Sequence, residues 1–100
     1  MFLILDALAD GGVKMGLTRD MALRLSAQTM LGSATMALAE INNGPHGKHV
    51  MHLKEQVCSP GGTSIHGIYE LENHGVRSAL IKCVEVGTIR AKEMNAKKKD

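Results

Sequence analysis

Val57-Cys58-Ser59-Pro60-Gly61-Gly62-Thr63-Ser64-Ile65-His66-Gly67-Ile68-Tyr69-Glu70-Leu71-Glu72 reads as a loop that turns into a helix. Pro60 and the glycine pair forbid a helix before it. Thr63 and Ser64 are residue types that cap helix N-termini. Ile65, Ile68, Tyr69 and Leu71 then recur near helical spacing. A glycine-rich loop feeding a helix start presents several backbone N–H groups in one direction, a geometry suited to a phosphate or a carboxylate. Neither nucleotide-binding signature, Gly-x-x-x-x-Gly-Lys-Ser/Thr or Gly-x-Gly-x-x-Gly, is present. The plainer alternative is a helix start with ordinary capping residues.

Upstream, residues 2–15 predict a helix that is apolar on most sides: Phe2, Leu3, Ile4, Leu5, Ala7, Leu8, Ala9, Val13 and Met15. Such a helix must be covered nearly all round, which implies a partner subunit or a missing domain. Gly11 and Gly12 inside it each cost about 1 kcal/mol against Ala, and close approach of another helix is one compensation. Gly16 ends it as a C′ residue. Thr18 caps a second helix, with Asp20 in its first turn, running to about Glu40. Ala22, Leu25, Thr29, Gly32 and Met36 make one stripe on it, and Ala27, Leu31, Ala34 and Leu38 another. Two stripes imply contact on two sides, so both long helices carry more apolar surface than a monomer of this length can cover, and an oligomer is expected. Residues 42–49 predict a loop, and 50–57 a short helix with Leu53 and Val57 inward. Downstream, the helix from Ser64 stops near Asn73-His74, with Gly75 as C′ residue. A last helix over about 76–96 aligns Val76, Leu80, Cys83, Gly87, Arg90 and Met94, widened by Ala79, Val84 and Ala91. Glu93 and Lys97 are spaced for an i, i+4 pair.

One hundred residues fit one domain. Apolar residues make up 44%, yet only Phe2 and Tyr69 are aromatic, so any core is aliphatic. Scarce proline and absent β-branched runs favour an all-α fold of about five helices: two long N-terminal helices, a short one, the Pro-Gly-Gly loop and two more. A formal charge of +2 is too weak to imply a nucleic-acid partner, and the Lys97-Lys98-Lys99-Asp100 tail reads as solvating a helix end. Cys58 and Cys83 make no disulfide framework. The apolar start, Met1-Phe2-Leu3-Ile4-Leu5, mimics a signal peptide but lacks a basic region and is cut by Asp6. No stretch approaches the roughly 20 apolar residues of a membrane span.

Other chemistry finds little support. His46, His49 and His52 are spaced by three, but Pro45 and Gly47 break the first interval and no acidic ligand is in register, so no metal site is expected. Ser64 and His66, two apart on a helix, point in different directions, which argues against a hydrolase and makes His66 a partly buried helix residue. Glu70 and Glu72 lie on different faces.

The string Ser59-Pro60-Gly61-Gly62-Thr63-Ser64-Ile65, with Leu53-Lys54 before it and Leu71-Glu72 after it, resembles the signature of pyrroline-5-carboxylate reductase. The resemblance covers about residues 5–95. Asp6-Ala7-Leu8-Ala9-Asp10-Gly11-Gly12-Val13-Lys14-Met15-Gly16-Leu17 is similar to the first long helix of that family's C-terminal domain, and Ala27-Gln28-Thr29-Met30-Leu31-Gly32-Ser33-Ala34 to its second. Gly75-Val76-Arg77 with Ile81, Val84 and Glu85 resembles the last. The likeness weakens at 42–46, which looks like an insertion, at Val50, where the family commonly has Pro, and at Thr35, which stands in place of a common Lys.

The resemblance implies the following. Residues 1–100 are the C-terminal dimerisation domain of such a reductase. NADPH or NADH binds an N-terminal Rossmann domain absent from this chain, as is the Ser-Gly-Pro-Ala-Tyr lead-in. Hydride passes to the imine carbon of 1-pyrroline-5-carboxylate, giving L-proline. The helical domain forms an interlocked dimer and supplies the substrate pocket, so the expected partners are a second copy of the chain, or more, and that substrate, with neither nucleic acid nor membrane. The substrate carboxylate is the anion for Gly61, Gly62, Thr63 and Ser64; Val57 matches a pocket-wall position. Ser64 stands where the family commonly has Thr near the ring nitrogen, and is the expected catalytic contact. The expected location is cytoplasmic, or mitochondrial for a full-length protein. Alone, the chain is expected to be inactive. The alternative is a non-catalytic helical oligomerisation module.

Overall fold

The computed structural model describes residues 1–99, with side chains through Lys97; the Lys98 and Lys99 side chains and Asp100, part of the tail read as a solvated helix end, lie outside the described residues. Among the described residues every regular element is helical: α1 (Phe2–Lys14), α2 (Arg19–Asn42), α3 (Val50–Gln56), α4 (Thr63–Asn73) and α5 (Val76–Lys99), with a 3-10 turn at Gly44–His46. The all-α expectation and the order of long, long, short and two further helices hold. The chain forms two compact units, Met1–Lys54 and the residues from Glu55 onward, with the division inside α3.

In the first unit α1 stops where Gly16 turns left-handed, φ +109°. Gly16 N–H donates to the Val13 carbonyl at 3.0 Å and Leu17 N–H to the Gly12 carbonyl at 3.0 Å, so two orphan carbonyls of the helix end are satisfied by the paired bonds of a Schellman motif. Thr18 then starts α2: its Oγ1 accepts from Met21 N–H at 3.2 Å. An Arg19–Asp10 ion pair bridges the turn, 2.6 Å with both side chains more than half exposed.

Packing between α1 and α2 rests on small residues. Ala9 and Ala22 are the buried hydrophobic residues, 0% and 2% exposed. A Cβ on Gly12 would lie 3.1 Å from Ala22 Cβ and 3.2 Å from Leu17 Cδ1, whereas one on Gly11 would meet nothing within 4 Å. Close helix approach therefore accounts for Gly12 and leaves Gly11 without a neighbour in its own chain. On α2 the least exposed positions near its start are Ala22, Ser26 and Met30, a line that begins at Ala22 of the first stripe and then runs between the two stripes read from the sequence. Leu25, Leu31, Met36 and Leu38 of those stripes stay 51%, 61%, 53% and 57% exposed.

Beyond α2 the chain folds back on the helix end. Lys48 N–H donates to Glu40 Oε2 at 2.8 Å, and a Cβ on Gly47 would run into the Glu40 carbonyl.

In the second unit α4 ends at His74 and Gly75, φ +67°, as expected. Ala79 N–H donates to the Gly75 carbonyl at 2.9 Å, so the same glycine also begins α5. α5 extends past residue 96 to Lys99. Glu93 pairs with Arg90 at 3.3 Å, in place of the expected Lys97. No described residue of this unit is buried; Val84 and Ile81 on α5 are 70% and 65% exposed.

Candidate functional site

Residues 59–66 are built from a turn and a helix start. Gly62 N–H donates to the Ser59 carbonyl at 3.1 Å, closing a four-residue turn. Pro60 occupies its second position and Gly61, φ +68°, its third, the combination of a type II turn. Proline presets the first dihedral, and only glycine takes the left-handed second one without cost.

Gly62 follows in extended backbone, φ −80° and ψ 178°, and is the N-cap of α4. This corrects the sequence reading. The helix starts at Thr63, so Thr63 and Ser64 occupy its first turn and neither is the cap. Of the two glycines, the left-handed one is Gly61. What opposes a larger residue at Gly62 is space: its Cβ would overlap Ser59 Oγ, which would have to turn aside, and would lie 3.3 Å from the Ser59 carbonyl oxygen.

A glycine cap has no side-chain oxygen to offer, and no other side chain caps α4. The N–H groups of Thr63, Ser64 and Ile65 therefore lack both intrahelical and side-chain acceptors. The first turn of α4 contains no acidic residue, so no carboxylate there opposes an anion. Ser64 is half-buried, and Thr63 is exposed.

His66 is exposed, not partly buried as expected. Its Nδ1–H donates to the Gly62 carbonyl at 2.8 Å. That assignment leaves the lone pair of the neutral ring on Nε2. Ser59 and His66 are the two members that the sequence reading missed, Ser59 as turn acceptor and His66 as a donor to the cap carbonyl. The Ser-Pro-Gly order is the signal for the turn; His66 left none.

Val57 is not inward. α3 stops at Gln56, Cys58 N–H donates to the Glu55 carbonyl at 3.2 Å, and Val57 is 60% exposed on the intervening turn. Gly61, Gly62, Thr63 and Ser64 are consecutive in the loop and first helical turn, whereas Val57 precedes that loop.

The three upstream histidines are not gathered into one site, and His52 is exposed on α3. His49 Nδ1 accepts from Met51 N–H at 3.1 Å at the start of α3, and His46 closes the 3-10 turn. Among the described residues no group of three or more His, Cys, Asp or Glu side chains is placed to hold a metal ion. Nor is any described helix long and apolar enough to cross a membrane.

Residues 1–94 match the family model described as pyrroline-5-carboxylate reductase dimerisation. Pyrroline-5-carboxylate reductase 2 of Homo sapiens is 50% identical over 95 residues, which is 95% of this chain and 28% of the human protein. The Pisum sativum reductase is 46% identical over 95 residues, 33% of its length. Among solved structures, the Coxiella burnetii reductase superposes with a TM-score of 0.81 at 39% identity, over 92% of this chain and 32% of that one. The Plasmodium falciparum enzyme with NADP bound gives a TM-score of 0.75 at 33% identity, over 85% of this chain and 32% of that one. This chain thus spans about a third of the relatives it matches. With the helix order, the Pro-Gly-Gly turn and the family model all in agreement, the chain belongs to the pyrroline-5-carboxylate reductase dimerisation family.

Proposed function

We propose that residues 1–100 act as one dimerisation domain of a pyrroline-5-carboxylate reductase, binding substrate while a nicotinamide cofactor held elsewhere reduces it. The observation that carries this reading is the uncapped start of α4, where three backbone N–H groups stand open behind a fixed turn. A carboxylate there would accept charge-assisted hydrogen bonds at the positive end of the helix, worth about 0.3–2 kcal/mol from the dipole. Gly61 and Gly62 shape the cradle, and the N–H groups of Thr63 and Ser64 are its donors. The Ser64 hydroxyl, half-buried in the first turn, is the group assigned to the ring nitrogen of 1-pyrroline-5-carboxylate. Val57 is the outer wall, completed on assembly, since it is exposed in the isolated chain.

The described residues contain no strand and so do not form the parallel-strand crevice in which a Rossmann domain holds a dinucleotide. NADPH or NADH would bind outside them and supply the hydride. This chain's part is to bind and orient the imine. Both free cysteines suit a reducing compartment, and the cytoplasm is the proposed location.

A chimera joining this chain to the Rossmann half of a related reductase tests the site. In proline formation measured against substrate concentration, Ser64→Ala should cost about 0.5–1.5 kcal/mol, one hydrogen bond. Gly62→Val should cost more, because its side chain displaces Ser59 and covers the N–H groups. A Gly62→Val chimera that dimerises and keeps full activity would reduce the loop to a helix start. A second reading, a non-catalytic oligomerisation module, draws on the exposed apolar faces of α1 and α2; an inactive chimera with a wild-type loop would favour it.

A further inference from the structure

We draw no further inference here: the strongest candidate, the His66 ring bonded to the Gly62 carbonyl at the N-terminus of α4, belongs to the loop already described and is matched by the same bond from His74 to the Glu70 carbonyl at the other end of that helix, so nothing in it points to a ligand.

Discussion

Gly47 and Gly11 separate two reasons for having no side chain. A Cβ at Gly47 would collide with the carbonyl of Glu40, backbone that the last turn of α2 holds in place. A Cβ at Gly11 would meet open space. Gly47→Ala should therefore cost about 1–3 kcal/mol, as overpacking does, seen as a lower urea midpoint. Gly11→Ala should recover helix propensity, up to about 1 kcal/mol, within the single chain. An unchanged midpoint for Gly47→Ala would mean that the 42–49 loop does not rest on the end of α2. Neither glycine announces its reason in the sequence: one sits in a helix and the other in a loop, and the distinction is a distance to a residue elsewhere in the chain.

The helices themselves were legible because Pro60, Gly16 and Gly75 punctuate them and apolar residues recur between. The start of α4 was misread by one residue. Capping preference weighs residue type, and Thr63 and Ser64 score well on it; the turn closed by Ser59 sets the start one position earlier. On α2 small residues occur on several sides, so periodicity could not rank them. The notch at Gly12, which admits Ala22, decides the matter. Two measurements address these elements. Thr18→Ala removes the side-chain acceptor for Met21 N–H and should destabilise α2 by about 0.5–2 kcal/mol in chemical denaturation. For α4, His66→Ala should speed hydrogen exchange at the Gly67 and Ile68 amides, which donate to the carbonyls of the first turn, and His66→Asn, whose Nδ2 can stand where Nδ1 stood, should restore the slower rate. Equal rates in all three would leave the ring without a part in fixing that turn.

At the scale of the molecule, the count of buried side chains decides the argument. Ala9 and Ala22 are the described chain's buried hydrophobic residues. Two methyl groups, at about 0.8 kcal/mol per buried CH2, are small beside backbone ordering of roughly 1–2 kcal/mol per residue. Phe2, Leu3 and Leu8 on α1 are 91%, 81% and 51% exposed, and Leu25 on α2 is 51% exposed. The sequence foretold this excess of apolar surface, though not which stripe of α2 would be spent inside the chain. On the proposed reading, association covers it. Sedimentation equilibrium at micromolar concentration should show a dimer or larger species. Leu8→Asp or Leu25→Asp should dissociate it, because an unpaired charge buried at an interface costs several kcal/mol. A stable, folded monomer of the parent chain would contradict this.

The two-alanine core has a further consequence for how the chain responds to dilution. If folding and association are one event, the folded fraction follows mass action. The melting temperature should climb with protein concentration, and a sufficiently dilute sample should unravel in plain buffer with no denaturant present. Water volume then becomes a perturbant on the same footing as heat or urea, and a newly made copy must find a mate before it can hold its shape.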